Sequence, residues 1–182
     1  MSAQDRHESV RPSYIAHFVI RTSRFAETVQ WYKDLLDAHE VYHQPGLCFL
    51  TFDDEHHRIA VAEDEGLKDF DANMAGIDHV ALTMRSIFDL VEFYERAKSK
   101  NMLPFWCINH GPTTSLYYKD PNGCRIEFQC DQANYPGGAG AFFSSPEFAK
   151  NPLGIEFDPE ELFARVRKGE APDTVLARPD TI

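Results

Sequence analysis

Three residues of this 182-residue chain, His17, His79 and Glu127, carry metal-binding donors and stand at matched places in a sequence that repeats itself. With His17 laid over His79, the segment IAHFVIRTSRFAETVQWYKDLL runs in parallel with IDHVALTMRSIFDLVEFYERAK, pairing Val29 with Val91, Trp31 with Phe93 and Tyr32 with Tyr94. Allowing a gap in the first copy, CFLTFDDEHHRIAV then matches SLYYKDPNGCRIEF and sets Ala60 opposite Glu127. The repeat thus supplies two equivalent imidazoles but one carboxylate. Two His and one carboxylate, with the remaining positions open, form the ligand set of non-haem Fe(II) centres that activate oxygen. Manganese accepts the same N and O donors. A pseudo-twofold axis through the repeat would bring the first strand of each half to matching positions, so the two imidazoles are expected to converge.

Further groups could handle protons around such a centre. His56 and His57 are adjacent on an extended segment and must point to opposite faces, so at most one of them reaches a cavity. An imidazole there exchanges protons near pH 7. His110 and Tyr117 lie in the second half, with Tyr117 ten positions before Glu127 across the turn Asp120-Pro121-Asn122-Gly123. A hairpin would set Tyr117 and Glu127 on one wall, where a phenol and an imidazole can hydrogen-bond a substrate oxygen. Phe18, Phe105, Trp106 and Phe142 are candidates to line an apolar pocket for a second ring.

The elements that position these groups read as two β-α-β-β-β units. Tyr14–Thr22 alternates as a strand apolar on both faces. Ser23 is placed to cap a helix to Leu36, along which Phe25, Val29, Tyr32 and Leu35 recur at helical spacing. Strands are expected over Ala38–His43, Leu47–Asp53 and Arg58–Ala62. The second copy gives a strand (Ile77–Thr83), a helix (Ile87–Lys100) and strands near Phe105–Asn109, Thr114–Lys119 and Arg125–Cys130. The acidic stretch Glu63–Met74 reads as a solvated connector. The expectation is an α+β module at residues 13–130, with halves at about 13–62 and 77–130 and a curved mixed sheet cupped around a metal site. A flexible arm precedes it (residues 1–12), and an extension without a repeat counterpart follows (131–182). In that extension Asp158, Pro159 and Glu161 mark a helix start and Gly169 its stop.

Composition narrows the partners. Twenty-nine acidic against eighteen basic side chains give a formal charge of −11, which disfavours nucleic acid and anionic membrane surfaces. No apolar run reaches the roughly 20 residues of a membrane span, and the polar start MSAQDRHESVRP lacks a secretion-signal core. Four cysteines without C-x-x-C spacing read as reduced thiols. A cytoplasmic protein acting on a small molecule, and a homo-oligomer, is the resulting expectation.

The motifs A-H-F-V (16–19), F-L-T-F-D-D-E-H-H-R-I-A (49–60), I-D-H-V-A-L (77–82), His110 and S-L-Y-Y-K-D-P-N-G-C-R-I-E-F (115–128) resemble those of the vicinal-oxygen-chelate superfamily. Within it the chain looks like the type I extradiol ring-cleaving dioxygenases, over about Tyr14 to Cys130. The resemblance implies Fe(II) held by His17, His79 and Glu127, and His57 as the acid/base residue near the O2 site. It implies His110 and Tyr117 as contacts to the substrate hydroxyl, and cleavage beside the diol of a catechol such as 2,3-dihydroxybiphenyl. The larger relatives carry a second, non-catalytic module that this chain lacks. A glyoxalase-type isomerase needs a fourth protein ligand where this repeat has Ala60, and a metal-free binder of the same superfamily has no need of the trio.

Overall fold

A computed structural model describes residues 11–132 and 135–179; ten residues of the expected N-terminal arm lie outside that range. The first half runs β1 (Phe18–Thr22), α1 (Phe25–Leu36), β2 (His39–Gln44), β3 (Leu47–Thr51) and β4 (Ile59–Glu63). The second runs β5 (His79–Thr83), α2 (Ile87–Ser99), β6 (Trp106–Asn109), β7 (Thr113–Lys119) and β8 (Arg125–Asp131). Beyond β8 come a 3-10 turn (Ala139–Ser144), α3 (Pro146–Lys150), β9 (Ile155–Glu156), α4 (Pro159–Arg167) and α5 (Pro172–Leu176).

Each half folds into its own sheet, in the orders β1-β4-β3-β2 and β5-β8-β7-β6-β9. In both, the first strand lies parallel to the last, with Val19 beside Ala60 in one sheet and Ala81 beside Glu127 in the other. The register therefore superposes Ala60 on Glu127, as the sequence alignment does. One face of each sheet carries apolar side chains into a core shared with the helices. Val29, Tyr32 and Leu35 of α1 and Leu90, Phe93 and Tyr94 of α2 belong to one cluster with Leu50, Val61, Leu116 and Phe128. Alternation along the strands sends His17 and Val19, and likewise His79 and Glu127, to the opposite faces.

Two local expectations are corrected. The first strand starts at Phe18, and Ile15 and Val19 are 80% and 53% exposed, so its outer face is not buried. The ladder cannot extend further because Arg58 turns back and donates to the carbonyls of Ile15 and Ala16 at 3.0 and 3.1 Å. Ser23 does not cap α1. Arg24 holds the N-cap position without a side-chain bond, and the Thr22 hydroxyl accepts the Arg24 N–H at 2.8 Å. In the second half Ser86 caps α2 by accepting the Asp89 N–H. Asp158 caps α4 through the N–H groups of Glu160 and Glu161, and Gly169 ends it at φ +81°.

The Asp120–Gly123 turn ties the halves together. Asp120 Oδ1 accepts the N–H groups of Asn122 and Cys124 at 2.8 and 2.9 Å, and Gly123 takes the positive φ the turn needs. Across the divide, Tyr32 of α1 donates to Asp120 at 3.3 Å. Thr22 donates to the Asn122 side chain at 2.6 Å, and Asn122 donates to Thr28 at 3.1 Å. Burial raises the Asp120 pKa despite these donors. Truncation of this buried carboxylate orphans several donors together. Asp120→Ala is expected to lower stability by about 2–3 kcal/mol, read as a lower urea midpoint at unchanged slope.

Candidate metal centre and its cavity

Glu127 lies at the middle of β8 and is 4% exposed. Its strand is central, flanked by β5 and β7, and its register neighbours are Ala81 and Tyr117. A carboxylate buried there requires a cation or strong donors nearby. Arg125 does not serve, because its guanidinium is engaged by Asp78 at 2.8 Å. Glu127 meets His79, whose Nε2 is 2.9 Å from Oε2, and the hydroxyl of Tyr117. The other imidazole nitrogen, Nδ1, lies 2.8 Å from Asp78 Oδ2. Asp78 is held below the usual carboxylate range chiefly by that His79 hydrogen bond, with help from Arg125.

The donor chemistry of this arrangement suits a cation. In the tautomer that gives its Nδ1–H to Asp78, His79 turns its Nε2 lone pair toward the Glu127 carboxylate, 2.9 Å away, and the two can share a metal ion. A carboxylate orienting the far nitrogen is the usual support of a metal-binding histidine. The pair fits a divalent cation, with N and O donors suited to iron or manganese.

Tyr117 and His110 extend the site. Tyr117 is directly opposite Glu127, and its ring meets His79 edge-on at 5.2 Å. Burial first, and then the charge and hydrogen bond of Glu127, raise the Tyr117 pKa far enough to keep the phenol protonated. His110 Nε2 lies 3.0 Å from the Tyr117 hydroxyl, and its Nδ1 donates to the Leu153 carbonyl at 2.5 Å. Glu127, Tyr117 and His110 border a cavity of about 520 Å³ whose far wall includes Phe143, Phe148 and Pro152.

His17 and His57 form a separate group. His17 is exposed just ahead of β1, with its ring 4.4 Å from that of His57. His57 stacks on Phe49 at 4.8 Å, and the exposed His56 lies against it, Nδ1 to Nδ1 at 2.6 Å, so the two imidazoles do not point to opposite faces as expected. Partial burial, with the nearby His17 and His56, lowers the His57 pKa, which favours the neutral imidazole. His17 opens onto a smaller cavity of about 250 Å³ shared with Phe52, Arg58 and Val80. Within one chain, His17, His79 and Glu127 do not bring three ligand atoms within 4.8 Å of one another. Among the described residues only Glu40, His43 and Cys48 do so, and there Lys33 already pairs with Glu40 at 2.6 Å. The expected trio is thus not gathered to that spacing, although His17 shares its cavity with Val80–Thr83, the residues that follow His79.

Sequence reasoning also misplaced the apolar wall. Phe142 is 1% exposed and packs beneath Gly111, while Phe105 and Trp106 pack on the Tyr117 ring at 6.3 and 4.8 Å and do not border the larger cavity. Phe18 lies at the smaller cavity. Phe143 and Phe148 went unnoticed because the extension has no repeat partner to flag them. Asp78 was missed although the Asp-His dipeptide was a legible signal.

Fold and site together define a two-unit β-α-β-β-β protein with its chemistry on the open faces of the sheets. The model of the Glyoxalase/Bleomycin resistance protein/Dioxygenase superfamily matches residues 14–128, and the chain belongs to that family. It is 46% identical to biphenyl-2,3-diol 1,2-dioxygenase 2 of Rhodococcus globerulus, over 79% of this chain and 76% of that protein. Biphenyl-2,3-diol 1,2-dioxygenase 3 of the same organism is 37% identical over 89% of this chain and 86% of its own length. Among solved structures, a glyoxylase/bleomycin resistance protein/dioxygenase domain from Frankia sp. EAN1pec shares the fold. Its TM-score is 0.57 at 18% identity, covering 69% of this chain and 96% of that one.

If Asp78 orients His79 for a metal, its loss should weaken the ion and leave the fold intact. Asp78→Asn is expected to lower Fe(II) or Mn(II) affinity by roughly 10–100-fold, measured by anaerobic metal titration. The thermal midpoint should move little, since the Asp78 side chain is 59% exposed.

Proposed function

We propose that the chain is an Fe(II)-dependent extradiol dioxygenase, opening a catechol-type ring such as that of 2,3-dihydroxybiphenyl beside the diol and placing both atoms of O2 in the product. The observation that carries this reading is the contact of half-buried His79 with buried Glu127, 2.9 Å apart, with Glu127 bordering a mainly apolar cavity. The two Rhodococcus relatives support the substrate class. In this reading residues 13–130 are the catalytic module, and 131–182 an extension that walls its cavity. His17, His79 and Glu127 are the metal ligands, with iron as the ion and manganese as an alternative. When bound, such an ion supplies the site where the two ring oxygens and O2 meet and exchange electrons.

The protein's own groups handle binding and protons. The Tyr117 phenol oxygen accepts from a substrate hydroxyl, while its own proton is directed to His110 Nε2 and Glu127, and His110 is fixed through its Nδ1–H on the Leu153 carbonyl. The apolar wall excludes water from the ring. His57, kept neutral, accepts a proton from the reacting diol and returns it to the product. Ala60 stands where a glyoxalase-type site needs a fourth ligand, which disfavours that alternative. A cytoplasmic location suits the four free cysteines, and burial pushes Cys48 and Cys124 up to about 11. Among the described residues no helix is long and apolar enough to cross a membrane.

The separation of His17 from the other two ligands favours a homo-oligomer in which each copy gives His17 and His57 to its neighbour's His79 and Glu127. The outer face of the first sheet is open, with Val19 and Tyr42 53% and 45% exposed. Reciprocal exchange is what twofold symmetry produces.

Two measurements test the reading. Anaerobically prepared, Fe(II)-loaded protein should consume O2 with 2,3-dihydroxybiphenyl and form a yellow ring-opened product; no uptake across a panel of catechols would refute it. His17→Ala and Glu127→Ala chains should each be inactive, yet co-assembled one to one they should regain about a quarter of wild-type activity, because statistical pairing leaves that share of sites intact. A mixture as inactive as its components would place the ligands within one chain.

A further inference from the structure

Arg178, near the end of the extension, is 1% exposed and among the largest fully buried side chains. Burying a guanidinium demands acceptors for its planar fork of donors. Arg178 donates to the carbonyls of Asn151 at 2.9 Å, Glu147 at 3.0 Å and His110 at 3.3 Å. Its plane also lies 5.0 Å from the centre of the Phe142 ring. One side chain thus joins the carbonyl of the candidate substrate-contacting histidine to the segment that forms the cavity wall.

The packing around this junction leaves no slack. Gly111, next to His110, has φ +103°, and a Cβ there would overlap the Phe142 ring. Gly154 has φ +116°, and a Cβ there would overlap the backbone of Asn109 and His110. Leu153, immediately before Gly154, holds the His110 imidazole. Phe142 and Phe143 divide the work of adjacent residues. Phe142 is the anchor under Arg178, and Phe143 is 59% exposed, meeting Phe148 edge-on at 5.3 Å beside the cavity.

We propose that the extension is the specificity wall of the cavity, with Phe143 selecting a second aromatic ring on the substrate and Arg178 as the positioning residue that keys that wall to His110. The proposal rests on the dioxygenase reading for the identity of the diol-bearing ring. A monocyclic catechol reaches Tyr117 and Glu127 without touching Phe143. A bicyclic one places its second ring against Phe143 and Phe148.

The test is anaerobic equilibrium binding of 2,3-dihydroxybiphenyl and of catechol to the full-length, Fe(II)-loaded protein, followed by calorimetry. Phe143→Ala should weaken 2,3-dihydroxybiphenyl about tenfold, the scale of one lost aromatic pair, and change catechol less than twofold. Arg178→Gln should produce the same loss of selectivity, and Arg178→Lys should recover part of it. The Arg178→Gln/Phe143→Ala double variant should be no less selective than either single one, since both remove one wall. If Arg178→Gln fails to fold, as circular dichroism reports, Arg178→Lys alone and combined with Phe143→Ala supplies the same comparison. Selectivity within twofold of wild type in Phe143→Ala, or independent multiplying losses in the double variant, would overturn the proposal. Binding ratios of the expected kind without ring opening would overturn the dioxygenase reading and leave the specificity wall standing.

Discussion

The burial of one carboxylate constrains this structure more than any other single feature. Glu127 sits on a central strand, and among the described residues its polar neighbours are the Tyr117 phenol and an imidazole nitrogen whose partner nitrogen is already engaged, with no guanidinium or ammonium paired to it. An unpaired charge in that position costs several kcal/mol. The surrounding groups therefore have to be arranged for a positive charge between Glu127 and His79. Asp78 sets the orientation of His79, Arg125 is drawn away to Asp78, and the Tyr117 phenol keeps its proton. Each of these arrangements follows from the position of Glu127.

Much of this was legible in the chain itself, because duplication makes a sequence explain itself. The equivalence of His17 and His79, and of Ala60 and Glu127, survives as equal strand registers in the two sheets. Helix faces were readable from Val29, Tyr32, Val91 and Tyr94, since amphipathic spacing is a local property. The start of α1 was not, because Arg24 takes the N-cap position without a side-chain bond and Ser23 stays outside the cap. The extension was least legible. Its apolar residues have no internal counterpart, and the burial of Phe142 against Arg178, 36 positions further along the chain, is a long-range contact that no local pattern announces.

The two halves share a plan but not a fate. The first half keeps the outer face of its sheet open and presents His17 and His57 from it. The second half covers the matching face with the extension and keeps the buried carboxylate. The join between them is polar and directional. Thr22, Thr28 and Tyr32 all engage the Asp120–Gly123 turn, so the relation of the halves is fixed by hydrogen-bond geometry in addition to the common core.

The short strand β9 has a consequence of a different kind. Pairing of Ile108 and Asn109 with Glu156 and Ile155 occupies part of the free side of β6, which would otherwise expose unpaired N–H and C=O groups. The other sheet ends in β2, where the ladder is broken by a bulge between Glu40 and Tyr42 and the strand is lined with His39, Glu40 and His43. One sheet edge is thus partly covered and the other is irregular and charged. Both devices discourage uncontrolled strand addition at the sheet edges.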